Sequence, residues 1–235
     1  MKIQPLASGS KGNCYLIEDD CTSLLVECGI TIRRIREGLN FKLRGISATL
    51  ISHEHSDHGK AVEPLLRMEI DCWMSRGTAG RLLLPHMHSH HRLHFAMSGQ
   101  RFEVGTFAVM PFSTVHDAAE PLGFLLASGR GKLLYATDTA CIPARFSGLT
   151  HIMIECNYQE QLLMSRLKDG KVDPALDLRV RHSHMSQESV CKFLGLQDLS
   201  LLCEVWLLHI SAENVDIRSM TSAIRSVVNC PVFVA

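Results

Sequence analysis

No apolar run in this chain reaches the roughly 18 residues that cross a bilayer, so no membrane-spanning helix is expected. The opening residues, with Lys2, Gln4 and Pro5, carry no apolar core, so no secretory signal is expected either. The nine cysteines are odd in number and include no Cys-x-x-Cys pair. That argues against a disulfide framework and predicts buried free thiols, Cys28, Cys156 and Cys203 among them, in a reducing, cytoplasmic setting. Neither sign of charge is in excess, with 24 Lys+Arg against 24 Asp+Glu. A domain-wide basic footprint for nucleic acid is therefore absent, and any such binding must use local patches. Aromatics are 6% of residues, too few for a platform that stacks single-stranded bases. Internal repeats and low-complexity linkers are also missing.

What remains is the composition of an ordinary globular protein, 46% hydrophobic and 20% charged over 235 residues, and it predicts one domain over 1–235. Ile3–Leu6 reads as an edge strand containing Pro5. A small-residue turn, Ala7–Asn13, follows; it is either plain turn chemistry or a way to present Asn13 and backbone N–H groups to a site. Cys14–Glu18 and Ser23–Cys28 read as a hairpin across Asp19-Asp20. Thr31 is the expected N-cap of a helix running to Leu39. Ile46–Ile51 is a buried strand, Gly59–Met68 a helix with Pro64 inside it, Asp71–Ser75 a short strand, and Gly77–Leu84 a helix ended by Pro85. Arg101–Val109 alternates around Gly105 as a hairpin. Gly123–Ser128, Lys132–Thr137, His151–Cys156, Cys203–Ile210 and Pro231–Val234 are strands. Tyr158–Leu167, the stretch from Ser186 to Leu196, and Asn214–Val228 are helices, while Lys168–Arg181 reads as a polar loop. Strands first, then strands alternating with helices, point to two sheets packed face to face with helices outside.

The chemistry concentrates in Ser52-His53-Glu54-His55-Ser56-Asp57-His58-Gly59, on the loop that leaves the strand ending at Ile51. Neutral imidazole nitrogens and carboxylate oxygens are the donors that divalent ions of the zinc type take. His53 and His55 alternate, so both reach one point from a turn, and Asp57 with His58 can serve a second ion. Three later residues of the same types stand at or beyond strand ends: His116, Asp138 and His209. A second histidine-rich stretch, His86 to His94, has five histidines in nine residues but no carboxylate or cysteine. It reads as a mobile or surface loop that turns cationic at mildly acid pH.

The His-x-His-x-Asp-His loop, the lone His116, Asp138 within Tyr135-Ala136-Thr137-Asp138-Thr139, and His209 within Leu207–Ser211 resemble the metallo-β-lactamase superfamily. Leu6–Ser10 with Gly12-Asn13, His116–Gly123, Ile154–Tyr158, His184-Met185-Ser186 and His209–Asn214 resemble its WalJ/YycJ-like branch, which is similar to ribonuclease Z and to phosphodiesterases of phosphonate metabolism. The resemblance implies an α/β chain folded as a four-layer αββα sandwich. It implies two divalent metal ions, zinc or manganese, one held by His53, His55 and His116, the other by Asp57, His58 and His209, with Asp138 bridging. It implies a phosphodiesterase on nucleic acid or a small phosphodiester, with DNA exonuclease as the best-fitting activity. Asp57 would orient the nucleophile, and His184 would act as the acid, charged and oriented by Glu155. Where the family has an Asp bracing the metal loop, this chain has Glu27.

Two other readings use the same features. The metal set can open a thioester or a lactone, or the fold can persist as a binding module without catalysis. Arg166, Lys168, Lys171, Arg179 and Arg181 near the proposed acid, and Arg33, Arg34 and Arg36 on the early helix, read as a solvated charged face or as phosphate contacts. The oligomeric state leaves no trace in the sequence.

Overall fold

The computed structural model describes all 235 residues, Met1–Ala235. The chain forms two compact units, Met1–Ser113 with Ala118–Gly131, and Thr114–Asp117 with Lys132–Ala235.

The first unit contains β1 (Lys2–Ala7), β2 (Cys14–Glu18), β3 (Ser23–Val26), α1 (Ile32–Gly38), β4 (Ile46–Leu50), α2 (Ser56–Gly59), α3 (Val62–Arg67), β5 (Cys72–Met74), α4 (Arg76–Leu82), β6 (Leu93–Phe95), β7 (Phe102–Val104), β8 (Phe107–Ser113) and β9 (Leu122–Ser128). Strands β1 to β6 form one sheet in chain order. Its first three strands are antiparallel and the rest parallel. Parallel strands need helical crossovers, and α1, α3 and α4 supply them. These helices bury Ile35, Val62, Leu65, Leu66 and Ala79 against Leu16, Leu25, Cys72 and Met74 of the sheet. Each large aliphatic side chain removed from water this way stabilises by about 1.5–3 kcal/mol. Strands β7, β8 and β9 form an antiparallel ribbon.

The second unit contains β10 (Gly131–Ala136), β11 (His151–Glu155), α5 (Glu160–Lys168), α6 (Pro174–Ser183), α7 (Gln187–Gly195), β12 (Glu204–Leu208), α8 (Ile217–Arg225) and β13 (Val232–Val234). Its four strands are parallel in the order β10, β11, β12, β13. Strands covered on both faces read as unbroken apolar runs, which is why Leu133–Ala136 and Ile152–Ile154 are wholly buried.

Several expectations need correction. Lys168–Arg181 is not a loop: Asp173 caps α6, its carboxylate accepting from the Ala175 and Leu176 N–H groups, and Pro174 takes the first helical position. An Asp-Pro pair placed so is a helix start, since proline's missing N–H is one the helix never uses there. The helix expected over Gly59–Met68 is shorter, α3 from Val62, separated from α2 because the Ala61 N–H goes to the Cys28 carbonyl at 2.9 Å instead of continuing the first turn. Pro64 becomes the third residue of α3, where again no helical N–H is lost. The strand expected to end at Cys28 ends at Val26, since Glu27 is left-handed with φ 64°. Cys28 and Cys156 are buried as expected, but Cys203 is exposed. No helix is long and apolar enough to cross a membrane.

Candidate functional site

In the first unit, the loop after β4 is held from below by buried polar groups. Glu27 is fully buried, and one carboxylate oxygen accepts the Ser52 N–H at 3.3 Å while lying 3.6 Å from His58 Nδ1. Asn13 reaches the same loop. Its amide donates to the Asp57 carbonyl at 3.2 Å and lies 3.2 Å from His58 Nε2, and its oxygen accepts from the Gly9 N–H at 2.9 Å. The small-residue turn before β2 therefore presents Asn13 to the loop. Tyr15, wholly buried, donates its hydroxyl proton to the Asn13 amide oxygen at 3.1 Å and lies 2.9 Å from the Ser8 hydroxyl. Gly29 is the close-approach point: a Cβ there would lie 1.6 Å from the Asp57 carbonyl oxygen.

On that support sit the imidazoles. Asp57 and His58 share the one-turn helix α2, closed by the His55 carbonyl accepting from the His58 and Gly59 N–H groups, both at 2.9 Å. His53 Nε2 is 3.0 Å from His55 Nδ1, and the His53 ring is 4.2 Å from the His58 ring between centroids. His53 Nδ1 meets the Ser52 hydroxyl at 2.8 Å, which orients the ring. His53 and His58 are buried; His55 and Asp57 are partly exposed.

In the second unit, Asp138 lies between two imidazoles. One carboxylate oxygen is 3.6 Å from His116 Nε2 and the other 3.7 Å from His209 Nε2. His116 Nδ1 donates to the Ser183 carbonyl at 3.0 Å, which assigns its proton to Nδ1 and leaves the Nε2 lone pair facing the carboxylate. Burial holds the His116 imidazole below the ordinary histidine range, so it stays neutral, the form that binds a metal. Asn157 donates to the His209 carbonyl at 2.9 Å and lies 3.0 Å from His209 Nδ1.

Glu155, at the end of β11 and fully buried, accepts the Thr139 N–H with one oxygen and faces His184 Nδ1 at 2.9 Å with the other. Burial pulls the His184 imidazolium down, but the Glu155 charge and hydrogen bond outweigh it, so the pKa ends above the ordinary value. Donor atoms of Asp138, Glu155, His184 and His209 all lie within 4.8 Å of one another. Of these, Asp138 and His209 offer the donor types that a divalent ion takes, while His184 is engaged by Glu155.

Six non-glycine residues have left-handed backbones, among them Glu27 (64°) in the first unit and Asp138 (44°) and His209 (48°) in the second. Each such residue costs on the order of 1–3 kcal/mol and persists where surrounding contacts enforce it. Here those contacts are the Ser52 N–H on Glu27, the Thr137 hydroxyl donating to Asp138 at 2.9 Å, and the Asn157 amide on the His209 carbonyl.

Sequence reasoning missed the residues that align this set. Thr139 accepts the Val115 N–H at 2.9 Å and donates to the Cys141 carbonyl at 2.8 Å, fixing the segment that carries His116. Asp117 lies 3.2 Å from His116 Nε2. Glu54, inside the His-x-His motif, accepts the Ala119 N–H at 2.8 Å. Adjacency to a candidate ligand was the signal for all three.

The histidine-rich stretch lies mainly at the surface, as expected. It contains a short 3-10 turn at Pro85–Met87 and runs into β6. Carboxylates distant in sequence meet it: His91 faces Glu69 at 2.8 Å, and His94 faces Asp71 at 3.0 Å while stacking on Trp73. Arg92 shares both carboxylates, which makes this an ion-paired surface. Most of the basic residues near His184 are likewise paired: Arg166 with Glu213, Lys171 with Asp169, and Arg181 with Asp177 and Glu160.

Known proteins share the family and the fold of this chain. The family described as Beta-lactamase superfamily domain matches residues 22–210. Exodeoxyribonuclease WalJ of Streptococcus pneumoniae is 28% identical over 230 residues, covering 91% of this chain and 82% of that protein. Exodeoxyribonuclease YycJ of Bacillus anthracis is 24% identical over 221 residues, covering 89% and 82%. Among solved structures, the metallo-β-lactamase fold protein YhfI from Bacillus subtilis superposes with a TM-score of 0.72 at 15% identity, covering 99% of this chain and 95% of that one. The short form of human tRNase Z gives 0.64 at 15%, covering 100% and 96%. The fold is thus the expected metallo-β-lactamase fold, and with the family match running from β2–β3 through His209, this chain belongs to the beta-lactamase superfamily.

Proposed function

We propose that this chain is a divalent-metal-dependent phosphodiesterase that works as a DNA exonuclease. The observation that carries the reading is Asp138, whose two carboxylate oxygens face His116 and His209. A carboxylate aimed at two metal-type imidazoles is suited to bridge a pair of ions. Relatives named exodeoxyribonuclease support DNA as the substrate.

In this reading His53, His55 and His116 hold one ion, Asp57, His58 and His209 the other, and Asp138 both. Bound there, zinc or manganese would lower the pKa of water toward neutrality and offset charge on the phosphoryl oxygens. The chain's own residues do the rest. Asp57 orients the attacking water. His184, kept protonated by Glu155, gives its proton to the leaving oxygen. Glu27 and Asn13 hold the donor loop so that its nitrogens need not rearrange on binding. A cytoplasmic setting belongs to the same proposal, supported by nine free thiols.

The test is hydrolysis of bis(p-nitrophenyl) phosphate by metal-stripped protein with zinc or manganese restored, with Asp138→Ala alongside. Turnover restored in the wild type and absent from the variant is expected, followed by degradation of labelled DNA from one end. Turnover of a thioester or a lactone, with none of the phosphodiester, would overturn the reading. So would wild-type activity persisting in Asp138→Ala.

A further inference from the structure

We infer that Arg179 is the residue through which this chain grips a phosphate of single-stranded DNA next to the scissile one. The inference rests on the phosphodiesterase reading above. It starts from the helix that sequence patterning did not show. The last residues of α6 build the site: the Ser183 carbonyl orients His116, and His184 follows directly as the proposed acid. Arg179 lies one turn earlier on that helix, and its backbone carbonyl accepts the Ser183 hydroxyl at 2.6 Å.

The side chain is placed by one contact. Arg179 Nε is 3.3 Å from one oxygen of Asp117, whose other oxygen is 3.2 Å from His116 Nε2. Asp117 therefore connects the guanidinium to the edge of the donor set. A guanidinium has two hydrogen-bonding edges. Asp117 engages the Nε side of a side chain that is 63% exposed, so the Nη1/Nη2 edge remains for a ligand. A fork of that kind matches the paired oxygens of a phosphate.

The neighbouring basic residues have different surroundings. Arg181 is 27% exposed and clamped by Asp177 and Glu160, and Arg166 is 22% exposed and held by Glu213. Those are struts between elements. Lys171 pairs with Asp169, two residues away in the turn between α5 and α6, and touches nothing in the donor set. Arg179 is the one whose partner also touches a candidate metal ligand. Its reach suits a phosphate adjacent to the reacting one. A substrate with only one phosphate has nothing to place there.

The test is fluorescence anisotropy of a 5′-labelled single-stranded DNA oligonucleotide with the full chain in chelator, across a salt series, for wild type, Arg179→Ala, Arg179→Lys and Lys171→Ala. Binding in chelator needs no turnover, so it reports on Arg179 whether or not the chain hydrolyses phosphodiesters. Arg179→Ala is expected to bind roughly tenfold more weakly. Its slope of log affinity against log salt should be shallower by about 0.7, the value of one phosphate contact on a single strand. Arg179→Lys should recover the slope but only part of the affinity, since it keeps the charge and loses the fork. Lys171→Ala should match wild type. With metal restored, Arg179→Ala should raise KM for the oligonucleotide by more than it lowers kcat. An unchanged affinity and slope in a folded Arg179→Ala protein would overturn the inference. A fall in kcat alone would also overturn it, since Arg179 would then act by positioning Asp117 and His116. Absence of phosphodiester turnover in the wild type would count against the functional reading and leave the binding result to judge Arg179.

Discussion

Glu27 and His58 meet with the carboxylate 3.6 Å from Nδ1, both side chains sealed from solvent, and the same carboxylate oxygen accepts the Ser52 N–H. The pair joins the residue where β3 stops to the helical turn that carries two of the proposed ligands. A carboxylate behind a ligand imidazole fixes its tautomer and raises its basicity. Glu27, standing where the family resemblance implies an aspartate, has a left-handed backbone at φ 64°.

Removing that charge without removing its bulk isolates its effect. Glu27→Gln is expected to fold and to bind zinc about 10–100-fold more weakly. Competition with a chromophoric chelator measures this, and an affinity equal to wild type would show that the carboxylate does not act on the donor loop.

Gly29→Ala tests the close approach beneath α2. The added methyl would fall 1.6 Å from the Asp57 carbonyl oxygen, so the backbone must move. A loss of stability of at least about 1–3 kcal/mol is expected, with metal affinity falling in parallel. Urea unfolding of the metal-free protein separates the two losses.

Thr139→Val keeps shape and deletes the hydroxyl that serves the Val115 N–H and the Cys141 carbonyl. Leaving those groups without their partner costs about 1–3 kcal/mol. Denaturant unfolding should show it, with metal affinity reduced because the segment before His116 loosens.

Metal addition should stabilise the fold by mass action. At a hundred times Kd the gain is about 2.7 kcal/mol per site, a rise in Tm of about 5–10 °C for a chain of this size. Asp138→Ala should lose most of that rise. Thermal scans with and without chelator would expose the opposite result.

The acidity of His184 sets a pH limit. Its pKa is raised because the Glu155 charge and hydrogen bond outweigh burial, so it keeps its proton through the ordinary histidine range and loses it at higher pH. Turnover should therefore fall on the alkaline side. The stability that the raised His184 pKa contributes is present below about 6.5, the unfolded histidine value, and fades as pH rises through the higher folded value; burial raises the Glu155 pKa too, so the pair weakens again in acid as Glu155 takes up a proton. In Glu155→Gln the alkaline limb of kcat/KM should move to lower pH. A limb that stays in place would remove His184 from the acid role.

The His-x-His-x-Asp-His loop, the strands that present Asp138 and His209, and the fold family are legible in the sequence. These signals are local: ligand spacing within one turn, and apolar runs of strand length ended by a polar residue. Thr31 caps α1 through its side chain as its position predicts, and Ser186 starts α7 as expected, a short-range rule that patterning reads well; the Ser75 and Asp216 caps of α4 and α8 became visible only in the structure. Helix α6 was missed because Pro174 to Ser183 is mostly exposed, so no apolar face marked it, and only its Asp-Pro start betrayed it. The rest was decided by tertiary structure. Which carboxylate faces which basic side chain, as Glu27 with His58, Asp71 with His94 and Asp117 with Arg179, depends on pairs tens of residues apart. Such pairs form only when packed elements bring the side chains together, and a one-dimensional pattern carries no record of those distances.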